Sequence, residues 1–298
     1  EISECLVGSE MCIRDRDEGE LVDAIDIVDA QGDAATLGSG LTPLYLTYRH
    51  YPVDDPKVTG AYGEWKDYNA YSDFISSEGV PVFYARVDHV SVPLAKEGTG
   101  QVVVDFTPEP LTQDVSFVFH IEKTADVVVD SLTAEISGIP STMELTTGLI
   151  LAQKTYKLLF RPTYAALPSA ADSASAEALR CEASVNIPGI VRSHTEDMVT
   201  GPGILQIAIY THYDYEEEGT QRKAAKVFHA GINLYHTLKE RKSLQWDEEE
   251  NGYRQASRSI TVEIGSPLNI DKDGILNGGS TSTGLDQWIP GETFEIEV

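Results

Sequence analysis

Three oxygen-bearing side chains alternate just before a glycine in the segment 269–274. Asn269, Asp271 and Asp273 have the spacing with which the first half of an EF-hand-type loop presents its calcium ligands. The twelfth position of such a loop is Ser280, where a bidentate Glu is required, and the flanking sequence lacks helical periodicity. The favoured interpretation is therefore an ordinary acidic turn with Asx-type hydrogen bonds, and a bound calcium ion is the alternative.

Tyrosine is abundant and is concentrated around one predicted hairpin. The chain has 14 Tyr against 8 Phe, and Tyr210, Tyr213 and Tyr215 lie close together, with Trp246 farther along the sequence. Exposed tyrosines suit the recognition of sugars or protein partners, so these four residues form a candidate ligand platform. For each tyrosine alone, packing at the rim of a wide sandwich is the favoured explanation.

Catalytic motifs are absent from the sequence. It has no G-x-S-x-G elbow, no H-E-x-x-H and no glycine-rich phosphate loop that opens a helix. The seven histidines are dispersed without metal-ligand spacing. The acidic runs 216–218 and 247–250 are typical of solvated turns rather than of paired catalytic carboxylates. The sequence therefore predicts no enzyme and no resident cofactor.

The clearest structural pattern lies in the stretch 115–148. Val115, Phe117, Phe119 and Ile121 alternate with mostly polar residues, which predicts a half-buried strand. A second strand is predicted to end at Gly138 and Pro140, and a third is predicted around Met143 and Leu145. Three short antiparallel strands with a shared apolar face favour a β-sandwich.

The rest of the chain continues the two-residue alternation. A short aromatic helix is predicted between Gly60 and Gly79, and 167–179 is predicted as a surface helix or loop. Further strands are predicted at 44–51, 80–92, 102–106, 156–160, 204–215, 224–238 and 260–264, and at the extreme C-terminus through Phe294, Ile296 and Val298. The predicted fold is all-β, with two consecutive β-sandwich domains divided at the Pro108-Glu109-Pro110 break.

The first 16 residues do not belong to this pattern. They show neither helical nor strand periodicity, and the run CLVGSEMCIRDR resembles a translated sequencing-adapter read-through. We therefore expect residues 1–16 to be non-native, 17–110 to form an N-terminal sandwich incomplete at its start, and 111–298 to form the second sandwich. Without Cys5 and Cys12 only Cys181 remains, so no intramolecular disulfide is expected.

The net charge limits the classes of partner. With 48 acidic against 22 basic side chains the formal charge is −26. A surface this negative repels phosphate backbones and anionic lipids, which argues against nucleic-acid binding and against direct electrostatic docking to membranes.

Three segments resemble FimB-like fimbrial proteins of Bacteroidales. The run 117–148, centred on SLTAEISGIPSTMELTTG, is similar to a family segment in which a strand leads into a Ser-Gly motif and a Thr-rich strand. The 205–232 hairpin and the closing GLDQWIPGETFEIEV are similar to the late strands of the family and its Asp-x-Trp ending. The resemblance covers about residues 40–298. It implies two transthyretin-like, Greek-key β-sandwich domains, export as an outer-membrane lipoprotein, and a non-catalytic role in a surface pilus.

Two functions follow from these observations. The first is a structural, anchor or accessory subunit of a cell-surface fimbria that serves cell adhesion. Its partners are other fimbrial subunits, and it acts by β-strand pairing and burial of apolar surface at the interface. Phe294, Ile296 and Val298 are the predicted pairing residues, and we expect them to close the protein's own second sheet. The alternative is a surface lipoprotein that binds host or bacterial glycans or proteins through the tyrosine hairpin and Trp246. Lipid anchoring is implied by the resemblance alone.

Overall fold

The computed structural model describes residues 25–29, 31–33, 43–51, 74–75, 81–85, 103–145, 147–167, 176–190, 203–241, 244–247, 252–255, 258–276 and 288–296. Strands account for most of these residues and helix for very few, so the all-β prediction is confirmed. The strands are β1 (Ile25–Val28), β2 (Tyr45–Tyr48), β3 (His50–Tyr51), β4 (Phe74–Ile75), β5 (Phe83–Tyr84), β6 (Glu109–Pro110), β7 (Gln113–Thr124), β8 (Val127–Glu144), β9 (Leu149–Phe160), β10 (Thr163–Ala166), β11 (Ala176–Ile187), β12 (Ile204–Glu217), β13 (Thr220–Asn233), β14 (Leu244–Asp247), β15 (Gly252–Gln255), β16 (Ser259–Glu263), β17 (Leu268–Ile270) and β18 (Ile289–Ile296). A helix of about one and a half turns, α1 (Tyr235–Glu240), follows β13.

The strands form two large sheets that pack face to face. The first sheet runs β14-β15-β9-β8-β12-β13-β18, and the second runs β10-β11-β7-β16, with β17 also on β7. Phe117 of the second sheet stacks on Phe160 of the first, with ring centroids 5.7 Å apart. One apolar core draws on both sheets, as a β-sandwich requires.

Strands β1 to β4 join the first sheet, whereas β5 and β6 form a separate two-stranded sheet. β2 pairs with both β8 and β1, whereas β4 pairs with both β9 and β3. Leu46 and Tyr48 of β2 are completely buried in the common core. The division into domains at residue 110 stays a prediction.

Alternation predicted the central strand of the second sheet correctly. The side chains of Val115, Phe117, Phe119 and Ile121 are all completely buried. Those of Ser116, Val118 and His120 on the opposite face are only partly covered. β7 therefore presents one continuous apolar face to the core, as a half-buried strand does.

The prediction that a strand ends at Gly138 and Pro140 is wrong. β8 continues through both residues to Glu144, so Met143, predicted in a separate third strand, lies in its last part, and Leu145 follows it in a turn. Register shifts against β9 fall between Ser137 and Ile139 and between Pro140 and Thr142. Gly138 adopts a φ of 86°, so the chain absorbs these residues in β-bulges and does not stop pairing.

Other local predictions differ from the structure or lie outside the described residues. Residues 176–179, predicted as part of a surface helix or loop, open β11. Residues 103–106, predicted as a strand, have no regular structure. The helix predicted between Gly60 and Gly79 lies outside the described residues except for Phe74 and Ile75, which form β4.

The described part of the chain contains no helix that is long and apolar enough to cross a membrane.

Two strands near the C-terminus, β16 and β17, belong to the second sheet and pair with it in parallel. β16 pairs with β7 from Ser259 opposite Asp114 to Glu263 opposite Val118. After a short interruption β17 pairs with the same strand, with Leu268 opposite Ile121. β7 is thus held between β11 on one side and two C-terminal segments on the other.

Candidate strand-closure and hairpin sites

The C-terminal strand lies on a strand of the same chain, and it belongs to the first sheet, not to the second sheet as predicted. β18 pairs antiparallel with β13, with Phe294 opposite Val227 and Ile296 opposite Ala225. Val298 lies outside the described residues. A role for these three residues in assembly between subunits stays a prediction.

Trp288 fixes the start of that strand in the core. Its side chain is 4% exposed and lies edge-on to Phe119, with ring centroids 5.7 Å apart and planes at 65°. Its Nε1 donates a hydrogen bond of 3.0 Å to the carbonyl of Ser266, in the loop between β16 and β17. One indole therefore links the last strand of the first sheet to the second sheet. The sequence showed the Asp-x-Trp ending but gave no sign of this contact.

The β12–β13 hairpin extends beyond its neighbours. Among the described residues, pairing with β8 ends at Tyr213 and pairing with β18 ends at Ala225, so residues 214–223 pair only with one another there. All ten of these residues are exposed. The turn residues Glu218 and Gly219 have φ values of 51° and 77°, which is the sign pattern of a type I′ turn. The hairpin tip, residues 214–223, is thus a projecting two-stranded ribbon.

Two of the candidate platform residues lie together at the base of this tip. The rings of Tyr213 and Tyr215 are 6.2 Å apart between centroids and tilted by 49°. The ammonium group of Lys226 lies 5.5 Å from the centre of the Tyr213 ring and donates to the carbonyl of Lys272. This contact holds Tyr213 against the turn that follows β17.

The other two platform residues are placed elsewhere. Successive residues of a strand point to opposite faces, so Tyr210 lies on the opposite face of β12 from Tyr213 and Tyr215. Trp246 lies on β14, and three strands, β15, β9 and β8, separate β14 from β12. The structure therefore does not bring the four predicted residues into one platform. Their ligand binding is untested.

The segment 269–274 forms a turn whose polar groups bond to one another. Oδ1 of Asp271 accepts hydrogen bonds of 2.7 and 2.8 Å from the backbone N–H groups of Asp273 and Gly274. The backbone N–H of Leu276 donates to the carbonyl of Asn269 at 2.8 Å. These are the hydrogen bonds of the favoured Asx-type turn. Within the described residues no group of three His, Cys, Asp or Glu could hold a metal ion, and calcium at Asn269, Asp271 and Asp273 stays an untested alternative.

A bulge in β8 places a His–Asp hydrogen bond that the sequence did not predict. The register of β12 against β8 moves from Ser131 to Val129 between Tyr210 and Thr211, which leaves Asp130 as the extra residue. Its carboxylate oxygens lie 2.8 and 2.9 Å from Nδ1 of His212. Bulges often redirect side chains in this way. The hydroxyl of Tyr164, on β10 of the second sheet, donates to the carbonyls of Val129 and Asp130.

Two buried groups have pKa values that reduce their reactivity at neutral pH. Burial raises the pKa of the Cys181 thiol to about 12, so the thiolate that would act as a nucleophile is scarce. Burial lowers the pKa of His229 to about 4, so its imidazole is neutral at pH 7. Both groups behave as parts of the core.

Comparison with known proteins yields only distant structural likeness. No family model matches the chain, and no curated protein matches it. A candidate adhesin of Bacteroides ovatus is similar over 84% of this chain and 87% of its own, at 9% identity and a TM-score of 0.32. A candidate adhesin of Bacteroides thetaiotaomicron is similar over 86% and 85%, at 10% identity and the same TM-score of 0.32. At such a score the likeness establishes neither a shared fold nor a function.

Proposed function

We propose that this protein is a non-catalytic structural, anchor or accessory subunit of a cell-surface fimbria. The observation that carries the proposal is the pairing of β18 with β13 in the same chain, with Trp288 fixing the start of β18 in the core. An open sheet edge pairs with any strand that is offered to it. A subunit that closes its own sheet with its last strand suits an anchoring or accessory position, where the polymer ends.

The proposal includes its partners and location. The partners are other fimbrial subunits, held by strand pairing and by burial of apolar surface at the interface. The location is the cell surface, at the outer membrane, reached by export and a lipid anchor. These two features follow the sequence resemblance to FimB-like proteins.

A truncation tests self-closure. We compare the full chain with a variant that lacks residues 292–298 and with one in which the same seven positions are Gly and Ser. If β18 closes the protein's own sheet, both variants lose pairing with β13, and the urea midpoint of unfolding falls clearly in each. An unchanged midpoint together with loss of polymer assembly would show that the strand serves a neighbouring subunit instead. Co-purification with fimbrial subunits tests the function itself.

The rival function, a surface glycan-binding lipoprotein, is favoured by one observation. Tyr213 and Tyr215 form an aromatic pair at the base of an exposed hairpin tip, and Tyr215 is 38% exposed. On a glycan array we expect Tyr215→Ala to abolish any binding and Trp246→Ala to leave it unchanged, because Trp246 lies three strands away. Absence of glycan binding by the wild-type protein, or equal loss in both variants, would count against a hairpin site.

A further inference from the structure

A lysine and a glutamate are in contact inside the first sheet, away from the sites described above. Nζ of Lys157 on β9 lies 3.1 Å from Oε1 of Glu135 on β8, and their side chains are only 3% and 2% exposed. The two strands are antiparallel neighbours, with Ser137 opposite Lys157 and Glu135 opposite Leu159. The two side chains are therefore diagonal neighbours on one sheet face, a position from which long side chains reach each other.

The surroundings of this pair exclude water. Thr133, Ser137 and Leu159 are each 4% exposed, and Ala208 on the next strand is 1% exposed. Burial lowers the pKa of Lys157, and the attraction of Glu135 opposes this shift only in part. The neutral amine, which is the nucleophilic form, therefore forms more readily than it does for a lysine in water.

We propose that Lys157 and Glu135 condense to an intramolecular amide that cross-links β8 and β9. Nζ of Lys157 attacks the carboxyl carbon of Glu135, the C–N bond forms, and one C–O bond of the carboxyl group breaks. The oxygen leaves as water together with two of the three protons of the ammonium group. No oxidant or co-reactant is therefore needed.

Two physical arguments favour the reaction at this place. Fixed contact between two reacting groups can raise their effective concentration to about 10⁵ M or more. An ion pair keeps two desolvated charges in the interior, whereas the amide keeps none. Neither argument depends on the proposed fimbrial function.

A second Lys–Glu contact in the same chain provides an internal control. Nζ of Lys123 lies 2.6 Å from Oε2 of Glu177, a shorter contact than that of the buried pair. The Glu177 side chain, however, is 57% exposed, so water solvates its carboxylate. We expect this pair to remain an ion pair. The comparison separates burial from proximity as the cause of condensation.

Mass spectrometry of the purified full-length wild-type protein is the primary test. We expect an intact mass below that of the linear sequence by one water molecule. After unfolding and trypsin digestion, we expect no cleavage after Lys157 and a branched peptide in which fragment 124–154, containing Glu135, is joined through that lysine. The peptide that ends at Lys123 is expected to be linear and released by normal cleavage after that lysine. Glu177 lies in fragment 155–180, the other arm of the branched peptide, because trypsin does not cleave before Pro162, and it is expected to carry no branch of its own. A full linear mass, with Lys157 and Glu135 on unbranched peptides, overturns the proposal.

Two variants assign the lost water to this pair. Lys157→Met and Glu135→Leu each remove one partner, and each variant is expected to have the full mass of its linear sequence. Loss of water that persists in either variant overturns the assignment. Because the wild-type digest alone decides whether the branched peptide exists, a variant that fails to fold does not weaken the test.

Discussion

At the scale of single residues, Trp288 has the largest expected effect on stability. It is buried, it packs edge-on to Phe119 of the opposite sheet, and it donates to the Ser266 carbonyl in the loop between β16 and β17. We expect Trp288→Ala to lower the free energy of unfolding by about 3–5 kcal/mol, because it leaves a cavity between the sheets. Trp288→Phe keeps most of the packing and loses the hydrogen bond, for a cost of about 1–2 kcal/mol. Urea titration measures both, and equal costs would show that the hydrogen bond dominates.

His229 is expected to make the fold sensitive to acid. Burial lowers its pKa from 6.5 to about 4 in the folded protein. Between these values the unfolded chain binds a proton that the folded chain does not, so stability falls as pH decreases through this window. The loss is on the order of 3 kcal/mol between pH 7 and pH 4.

The neutral variant His229→Gln provides the matched comparison. Its free energy of unfolding, measured by urea titration from pH 7 to pH 4, should fall less steeply than that of the wild type. Parallel pH profiles for the two proteins would exclude His229 as the source of acid sensitivity.

The sequence predicted individual core residues well where alternation alone decides burial. Phe117 and Phe119 are core residues because β7 has one polar and one apolar face. It did not predict the contacts of Trp288 or Asp130. Trp288 meets Ser266 only because two sheets face each other, and Asp130 meets His212 only because a bulge shifts the register. Such contacts depend on tertiary placement, which local spacing does not contain.

At the scale of elements, Gly138 allows β8 to remain one strand. Its φ of 86° lies in the left-handed region, where a Cβ is unfavourable. We expect Gly138→Ala to cost about 1–2 kcal/mol of stability by straining the bulge. Gly265→Ala is the control, because a Cβ there meets nothing within 4 Å and its φ is not in that region. Thermal unfolding compares the two, and an equal effect would contradict a special role for Gly138.

Strand boundaries were the weakest part of the sequence prediction. Gly138 and Pro140 are usually strand-ending residues. The ladder with β9 nevertheless continues on both sides of the bulges, and β8 also pairs with β12 before them and with β2 after them. The Ala-rich start of β11 did not look like a strand, and it pairs with β7 from Ala176 opposite Thr124 onward. In both places, tertiary pairing overrides local propensity.

At the scale of the whole molecule, repulsion between acidic groups is expected to weaken the fold at low salt. The chain has 48 acidic and 22 basic side chains. Even if every basic side chain paired with one acidic group, the excess acidic groups would leave the net charge of −26. We expect added NaCl to raise the thermal midpoint, most steeply below about 0.15 M, where the Debye length shortens to about 8 Å. An uncharged osmolyte serves as the control. A midpoint that is flat or falls with NaCl would contradict net repulsion.

The order of strands in a sheet is a property of the whole molecule that the sequence did not reveal. Tyr213 and Trp246 are near in sequence, but β14 and β12 lie on different sides of β8 and β9. For this reason Trp246 does not lie on one surface with the three tyrosines of β12, and ligand binding by these residues stays a prediction. The alternating apolar residues near the C-terminus predicted a strand, which is β18, whereas its role in assembly stays a prediction.

The parallel attachment of β16 and β17 to β7 has a consequence for biogenesis. Ile260 pairs with Val115, which the ribosome synthesises nearly half a chain length earlier. Until the final segments emerge, the first strand of the second sheet has an unoccupied flank that can capture other polypeptides. Contacts so distant along the chain also slow folding, since loop closure precedes any gain from pairing. We therefore expect nascent molecules of this kind to benefit from chaperone protection until β16 and β17 have been synthesised.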